Sequence, residues 1–224
     1  MISRSKKTKS MVLLGLLTAI LLLMSMTPLG YFNVGPLAIT LNIIPVAIAG
    51  VALGPFGGAV AGGVFGITSF LQAMGIGGSS ALGLICFEIS PFLTFIHRVF
   101  SRVLAGFLTG VIFRLVIKFA RLPFASALAG FMAAFLNTAF FTSSLILLFG
   151  NTEYMQGLIG GQNILVFAAG YVGINSVFEM VVSTFASSII ATALYRARLV
   201  HIPIKKRSIR AEKAVAETET ENKI

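Results

Sequence analysis

The amino-acid sequence predicts an all-α integral membrane protein: six transmembrane helices, N and C termini both cytoplasmic, and a re-entrant or interfacial segment between helices 5 and 6. Three observations predict it. Apolar residues fill 57% of the 224 positions and the mean hydropathy is +0.96, beyond what a water-facing surface tolerates. No Asp, Glu, Lys, Arg or His occurs from Ser10 to Phe87, and charge-free runs recur at Leu122–Thr152, Tyr154–Phe178 and Met180–Tyr195. At roughly 20 apolar residues per crossing, these runs hold about six helices. The formal charge of +10 is gathered at the ends of the apolar runs, a pattern of membrane orientation and not of nucleic-acid binding.

Helix 1 is expected over Met11–Met26, ended by "TPLG", where Pro28 and Gly30 break the pattern. The preceding "MISRSKKTKS" has the basic start of a signal peptide. The apolar run is long, however, no A-x-A site follows and more apolar segments come next, so the segment is expected to be retained. "YFNVGPLAI" reads as a loop, Thr40–Leu53 as helix 2, "GPFGG" as a tight turn and Ala59–Met74 as helix 3. Helix 2 is short for a full crossing and is expected to be tilted or continued by the loop before it. Residues 75–98 mix glycine, serine and apolar side chains and read as a long loop at the interface or folded back over the protein. Helix 4 is placed at Val99–Phe119, helix 5 at Phe124–Phe149 and helix 6 at Asn175–Tyr195; Ile164–Ile174 is too short to cross and supplies the re-entrant or interfacial segment.

The cations test this topology, because cytoplasmic loops collect Lys and Arg. Arg4, Lys6, Lys7 and Lys9 precede helix 1. Arg114, Lys118 and Arg121 lie at the turn between helices 4 and 5, and the remaining inner cations, from Arg196 to Lys223, follow helix 6. Six crossings put all of these on one side; a seventh at Ile164–Ile174 would split them. Only Arg98 and Arg102 fall on the outer side. The chain is thereby divided into a basic cytoplasmic N-terminus (1–10), a six-helix membrane domain that binds substrate (11–200) and a polar cytoplasmic tail (201–224) with alternating charge, expected to be a frayed helix or disordered.

Polar groups inside a membrane are costly, so each is a candidate for function. The outer helix ends carry Asn42, Gln72, Arg98, Arg102, Asn175 and Glu179, with Asn137 deeper in helix 5. Arg98 and Arg102 are four apart and share a helix face. An anion between them would relieve their repulsion, and a guanidinium matches a carboxylate bidentately. The competing reading has Arg98 reaching the headgroups and Arg102 pairing with Glu179. His97 is expected to point away from both, toward the interface. Asn42, Gln72, Asn137 and Asn175 offer donors and acceptors for a ligand with hydroxyl and amide groups, or brace helix against helix. Glu179 could instead carry protons in a self-sufficient carrier, but no second carboxylate or histidine completes a relay and no internal repeat is evident.

Gly15 and Ala19 of helix 1 form a small-x-x-x-small pair that admits another helix closely, and "GGAVAGGVFG" in helix 3 does so on a larger scale. No G-x-x-x-x-G-K-[ST], G-x-S-x-G, H-E-x-x-H or C-x-x-C occurs. The chain is therefore read as no enzyme, with no cofactor and no metal. The single Cys86 forms no internal disulfide.

"NIIPVAIAGVALGPFGGAVAGGVFGITSF" (42–70), "RVLAGFLTGVIF" (102–113), "FLNTAFF" (135–141) and "INSVFEMVVS" (174–183) resemble the substrate-binding S components of energy-coupling factor (ECF) vitamin transporters. The resemblance covers most of residues 11–200, and the last two stretches look most like the pantothenate-type members. It implies a six-helix protein of the prokaryotic plasma membrane that takes a vitamin from outside. Such a protein joins a transmembrane coupling subunit and two cytoplasmic ATPases, and topples to release its cargo. It implies that Gly15 and Ala19 occupy the A-x-x-x-A positions that contact the coupling subunit. It further implies that Arg102, helped by Arg98, holds the pantothenate carboxylate, with Glu179 or Asn175 on the hydroxyls. Riboflavin, folate or cobalamin remain alternative cargoes; a flavin or pterin would need aromatic partners, which here are Phe side chains and Tyr171.

Overall fold

The computed structural model describes residues 2–27, 30–34, 37–77 and 81–200. For residues 2–6, 31–34, 37–39, 81, 158, 164–165, 167–169, 171–172 and 174–175 it describes the backbone alone, and the tail expected at 201–224 lies outside the described residues.

Helix α1 spans Ile2–Met26, so the basic N-terminal segment continues the first membrane helix without a break. A hairpin follows: β1 (Tyr31–Val34) pairs antiparallel with β2 (Leu37–Thr40), Tyr31 opposite Thr40. Where a loop was expected the chain forms this short hairpin, and the other regular elements described are helices. Helix α2 (Ile43–Leu53) is broken from α3 (Pro55–Ala73) by Gly54, whose φ of 81° suits a residue without Cβ, while Pro55 occupies the first turn, where no N–H is needed. The expected long loop at 75–98 is largely helical. α4 covers Ala81–Ile89, and Ser90 then caps α5 (Pro91–Phe95) by accepting from Leu93 N at 3.4 Å. A π-helical turn, Ile96–Phe100, joins α5 to α6 (Ser101–Val116) in one rod.

α7 runs Leu122–Phe149, and α8 (Glu153–Ile159) starts at the cap Thr152 and ends where Gly160 turns left-handed at φ 58°. α9 is a single helix of 33 residues, Ile164–Arg196. The segment expected at Ile164–Ile174 to be re-entrant or interfacial is not a separate re-entrant piece: those residues are the first turns of α9. No proline interrupts them, and a helix stops for a breaker or a cap and not at the edge of the hydrocarbon.

Among the described residues, five helices are long and apolar enough to cross a membrane: Lys7–Met26, Pro55–Ala73, Pro91–Val116, Leu122–Phe149 and Ser176–Arg196. The short α2 is apolar on every side because it is surrounded; α1, α3, α6, α7 and α9 all pack against it. Its Ile43, Val46, Ala47, Ile48 and Ala49 form the centre of the core with Leu21, Phe65, Ala129 and Ala133. A second, smaller cluster (Leu82, Cys86, Leu145, Phe149, Met155) lies beneath α4 and α8. Polarity is inverted relative to a water-soluble protein: Phe56, Phe119 and Leu147 stand exposed while Thr109, Ser126, Ser183 and Ser187 are fully buried. Such a surface is matched to lipid, and the chain is an integral membrane protein.

Glycine sets the tightest contact. A Cβ at Gly58 would fall on the Gly106 carbonyl oxygen, one at Gly106 on that of Gly58, and one at Gly62 on that of Arg102. The backbones of α3 and α6 thus touch along a strip of α3 in which every fourth residue is Gly.

Candidate functional site

The glycine strip determines where the two arginines lie. α6 rests backbone to backbone on α3, so the residues at its start project between α3, α4 and α7. The π turn widens the register there, letting adjacent residues both turn inward: His97, Arg98, Ser101 and Arg102 are all buried. Arg98 donates from Nη1 to the Ser69 carbonyl at 3.0 Å and to its Oγ at 2.7 Å, and a Cβ at Gly83 would strike its guanidinium, so α4 covers it closely. Arg98 therefore does not reach for the headgroups. Arg102 donates from Nη1 to the Arg98 carbonyl at 3.0 Å. Its guanidinium carbon lies 4.5 Å from the ring centre of Phe65 and 5.1 Å from that of Phe141, cation–π contacts that hold the charge in an apolar setting.

His97 corrects its expectation as well. It faces inward at 1% exposure, its Nδ1 2.7 Å from Ser144 Oγ and its ring 4.4 Å from that of Phe141. α-Helical spacing alone would turn His97 away from Arg98; the π turn does not.

The hairpin brings in the carboxylate. Glu179 Oε1 accepts the Thr40 N–H at 2.7 Å, tying the end of β2 to α9, and the Arg102 charge acts on that carboxylate. Two residues after Thr40, Asn42 is fully buried, and neither its Nδ2 nor its Oδ1 finds a hydrogen-bond partner among the described residues. Asn137 of α7 leaves Oδ1 in the same state at 5% exposure. Buried amides are normally paired, so such orphaned atoms are places for a polar ligand.

Gln72 has a different setting. Its Nε2 donates to the Ser25 carbonyl at 2.7 Å, and Ser25 Oγ lies 3.1 Å from Thr68 Oγ1, so this group joins α1 to α3. Tyr171 and Asn175 lie on α9, about two turns and one turn before Glu179, with side chains outside the described residues. Gly15 and Ala19 stand apart from the cluster on the exposed face of α1, and a Cβ at Gly15 would meet nothing within 4 Å.

Phe65, Ser69, Phe141, Ser144 and Thr40 belong to the site and were not singled out by the sequence. The only signal available was proximity: Phe65 and Ser69 lie on the glycine face of α3, one turn apart.

Along residues 9–194 the chain matches the family described as "ECF transporter, substrate-specific component". It is 30% identical over 214 residues to the pantothenate transporter PanT of Leuconostoc mesenteroides subsp. mesenteroides, the match covering 91% of this chain and 97% of that protein. It is 27% identical over 209 residues to the pantothenic acid transporter PanT of Lactococcus lactis subsp. cremoris, covering 87% and 98%.

Proposed function

The chain belongs to the ECF transporter substrate-specific component family, and from that premise we propose that it captures pantothenate on the outer face of the cell membrane. A transmembrane coupling subunit and two ATP-hydrolysing subunits then drive release inside. In this reading the chain crosses six times, the short α2 included, with both termini cytoplasmic; residues 11–200 form the binding unit. Gly15 and Ala19 meet the coupling subunit, a role supported by their exposed, unfilled notch on α1.

Two buried arginines carry the substrate assignment, one of them held against the faces of Phe65 and Phe141; buried amide atoms of Asn42 and Asn137 without a hydrogen-bond partner among the described residues support it. Pantothenate presents one carboxylate, two hydroxyls and an amide. Arg102 takes the carboxylate, with Arg98 adding charge from its anchorage on Ser69. Asn42 and Asn137 pair the hydroxyls and the amide, and Glu179, Asn175 and Tyr171 complete the lining. Glu179 and the ligand carboxylate are both anionic, and the two guanidinium charges offset them. Gln72 serves by fixing α1 against α3.

The test is binding of radiolabelled pantothenate to the purified full chain. Arg102→Ala is expected to weaken it at least about 100-fold, within the 2–5 kcal/mol that loss of one buried charge partner costs. Arg102→Lys should fall between, because an ammonium is a point charge without the planar fork. Panthenol, which replaces the carboxylate by a hydroxymethyl group, should lose a similar factor on wild type and almost nothing more on Arg102→Ala. Equal affinity of wild type for panthenol and pantothenate would overturn carboxylate recognition, and displacement only by riboflavin or folate would overturn the substrate.

A further inference from the structure

At the end of the bundle opposite the arginine cluster, α1, α2 and the close of α9 border an open groove of about 510 Å³. Lys9, Arg196 and Arg198 stand on its rim, exposed, while Leu13 and Leu53 line it below with Tyr195 alongside. Among the described residues, no Asp or Glu lines it. Three like charges around one depression repel one another unless an anion joins them.

The backbone gives an independent sign. α9 ends with the Leu199 N–H donating back to the Leu194 carbonyl at 3.1 Å, which puts Arg198 in the left-handed region at φ 55°. That position of a helix end is normally glycine, because a Cβ there is sterically disfavoured. Arg198 is the one described non-glycine residue with positive φ. The sequence thus sets a cation on the groove against its own backbone preference, as happens where a residue is kept for function.

We propose that this groove binds the phosphodiester headgroup of an anionic phospholipid, with the lipid's glycerol and first acyl carbons on the apolar floor. Lys9 and Arg196 lie at the ends of two membrane helices, Lys7–Met26 and Ser176–Arg196, and therefore at headgroup depth. The volume suits a small-molecule site of about 300–1,000 Å³. An apolar floor beneath a cationic rim fits an amphiphile better than a free phosphate. The concentration of Lys and Arg at this end assigns the leaflet as the cytoplasmic one, where basic pockets between helices hold anionic headgroups. The inference is independent of which vitamin is carried.

Native mass spectrometry of the delipidated full chain, titrated with phosphatidylglycerol or phosphatidylcholine of matched acyl chains, tests it. One phosphatidylglycerol is expected to be retained with about tenfold or greater preference. Lys9→Gln, Arg196→Gln and Arg198→Gln should each reduce that preference by about fivefold, and the triple variant should abolish it. Arg198→Gly guards against a folding artefact: it should raise the thermal midpoint by relieving the left-handed backbone, yet lower the lipid preference. Pantothenate binding should be unchanged in all five variants. Equal retention of both lipids, or a preference that survives the triple variant, would overturn the proposal. Displacement of phosphatidylglycerol by millimolar inorganic phosphate would reassign the groove to a soluble anion. Unaltered lipid preference with loss of the coupling subunit would reassign it to that partner.

Discussion

Asn42 keeps both atoms of its amide buried and unpartnered, a state that costs the folded chain about 1–3 kcal/mol. If that cost is offset only by ligand, removing the amide must separate stability from binding. Asn42→Leu is accordingly expected to raise the thermal midpoint of the empty protein and to weaken pantothenate at least about tenfold. Differential scanning fluorimetry and equilibrium binding on one preparation decide it, and a fall in both quantities would make Asn42 a structural residue. At this scale the sequence was legible where charge interrupts an apolar run: Arg98, Arg102 and Glu179 stand out against the apolar stretches that flank them. It was illegible for His97, whose inward turn depends on the single π-helical turn at Ile96–Phe100. Ser69, Ser144 and Thr40 were hidden for another reason: hydroxyls are scattered through every helix here, and only a partner from a distant element distinguishes them.

Among the elements, α3 and α6 have the least tolerance for added volume. Gly58→Ala or Gly106→Ala would push a methyl into an opposing carbonyl and is expected to cost about 1–3 kcal/mol by overpacking. Because Arg98 and Arg102 ride on the same helix, the vitamin affinity should fall with the stability. Gly15→Leu offers the contrast. The space there is open, so the isolated chain should keep its thermal midpoint and its affinity while losing co-purification with the coupling subunit. Loss of stability at Gly15, or none at Gly58, would contradict the packing described. Helices α3, α7 and α1 were readable to within a few residues at the ends where proline or glycine punctuates them. The ends that were missed lack punctuation: α9 begins at Ile164 because no breaker follows it, and the hairpin at 31–40 depends on strand pairing that apolar periodicity does not encode. α4 was hidden by its glycine and serine flanks.

For the molecule as a whole, the inverted distribution of polarity makes the outside a lipid surface and leaves Cys86 at 2% exposure. Burial pushes its thiol pKa up, against a smaller opposite influence from Arg98, so little thiolate forms near neutral pH. The native cysteine should therefore stay unlabelled by an impermeant maleimide, and topology can be mapped without removing it. Ser10→Cys is expected to react only from the cytoplasmic side and Gly161→Cys only from the outside; labelling of both from one side would refute six crossings with cytoplasmic termini. The two arginines and one glutamate of the site carry a last consequence. Ionised, they sum to a single positive charge, which the carboxylate of pantothenate, bound as proposed above, would cancel. A site carried across the bilayer while loaded is then electrically silent, whereas the empty site returning outward moves one charge against a negative-inside potential, at about 2.3 kcal/mol per 100 mV. Uptake limited by that return should slow as the membrane is hyperpolarised, and in Arg98→Gln, where the empty site is neutral, it should become indifferent to voltage.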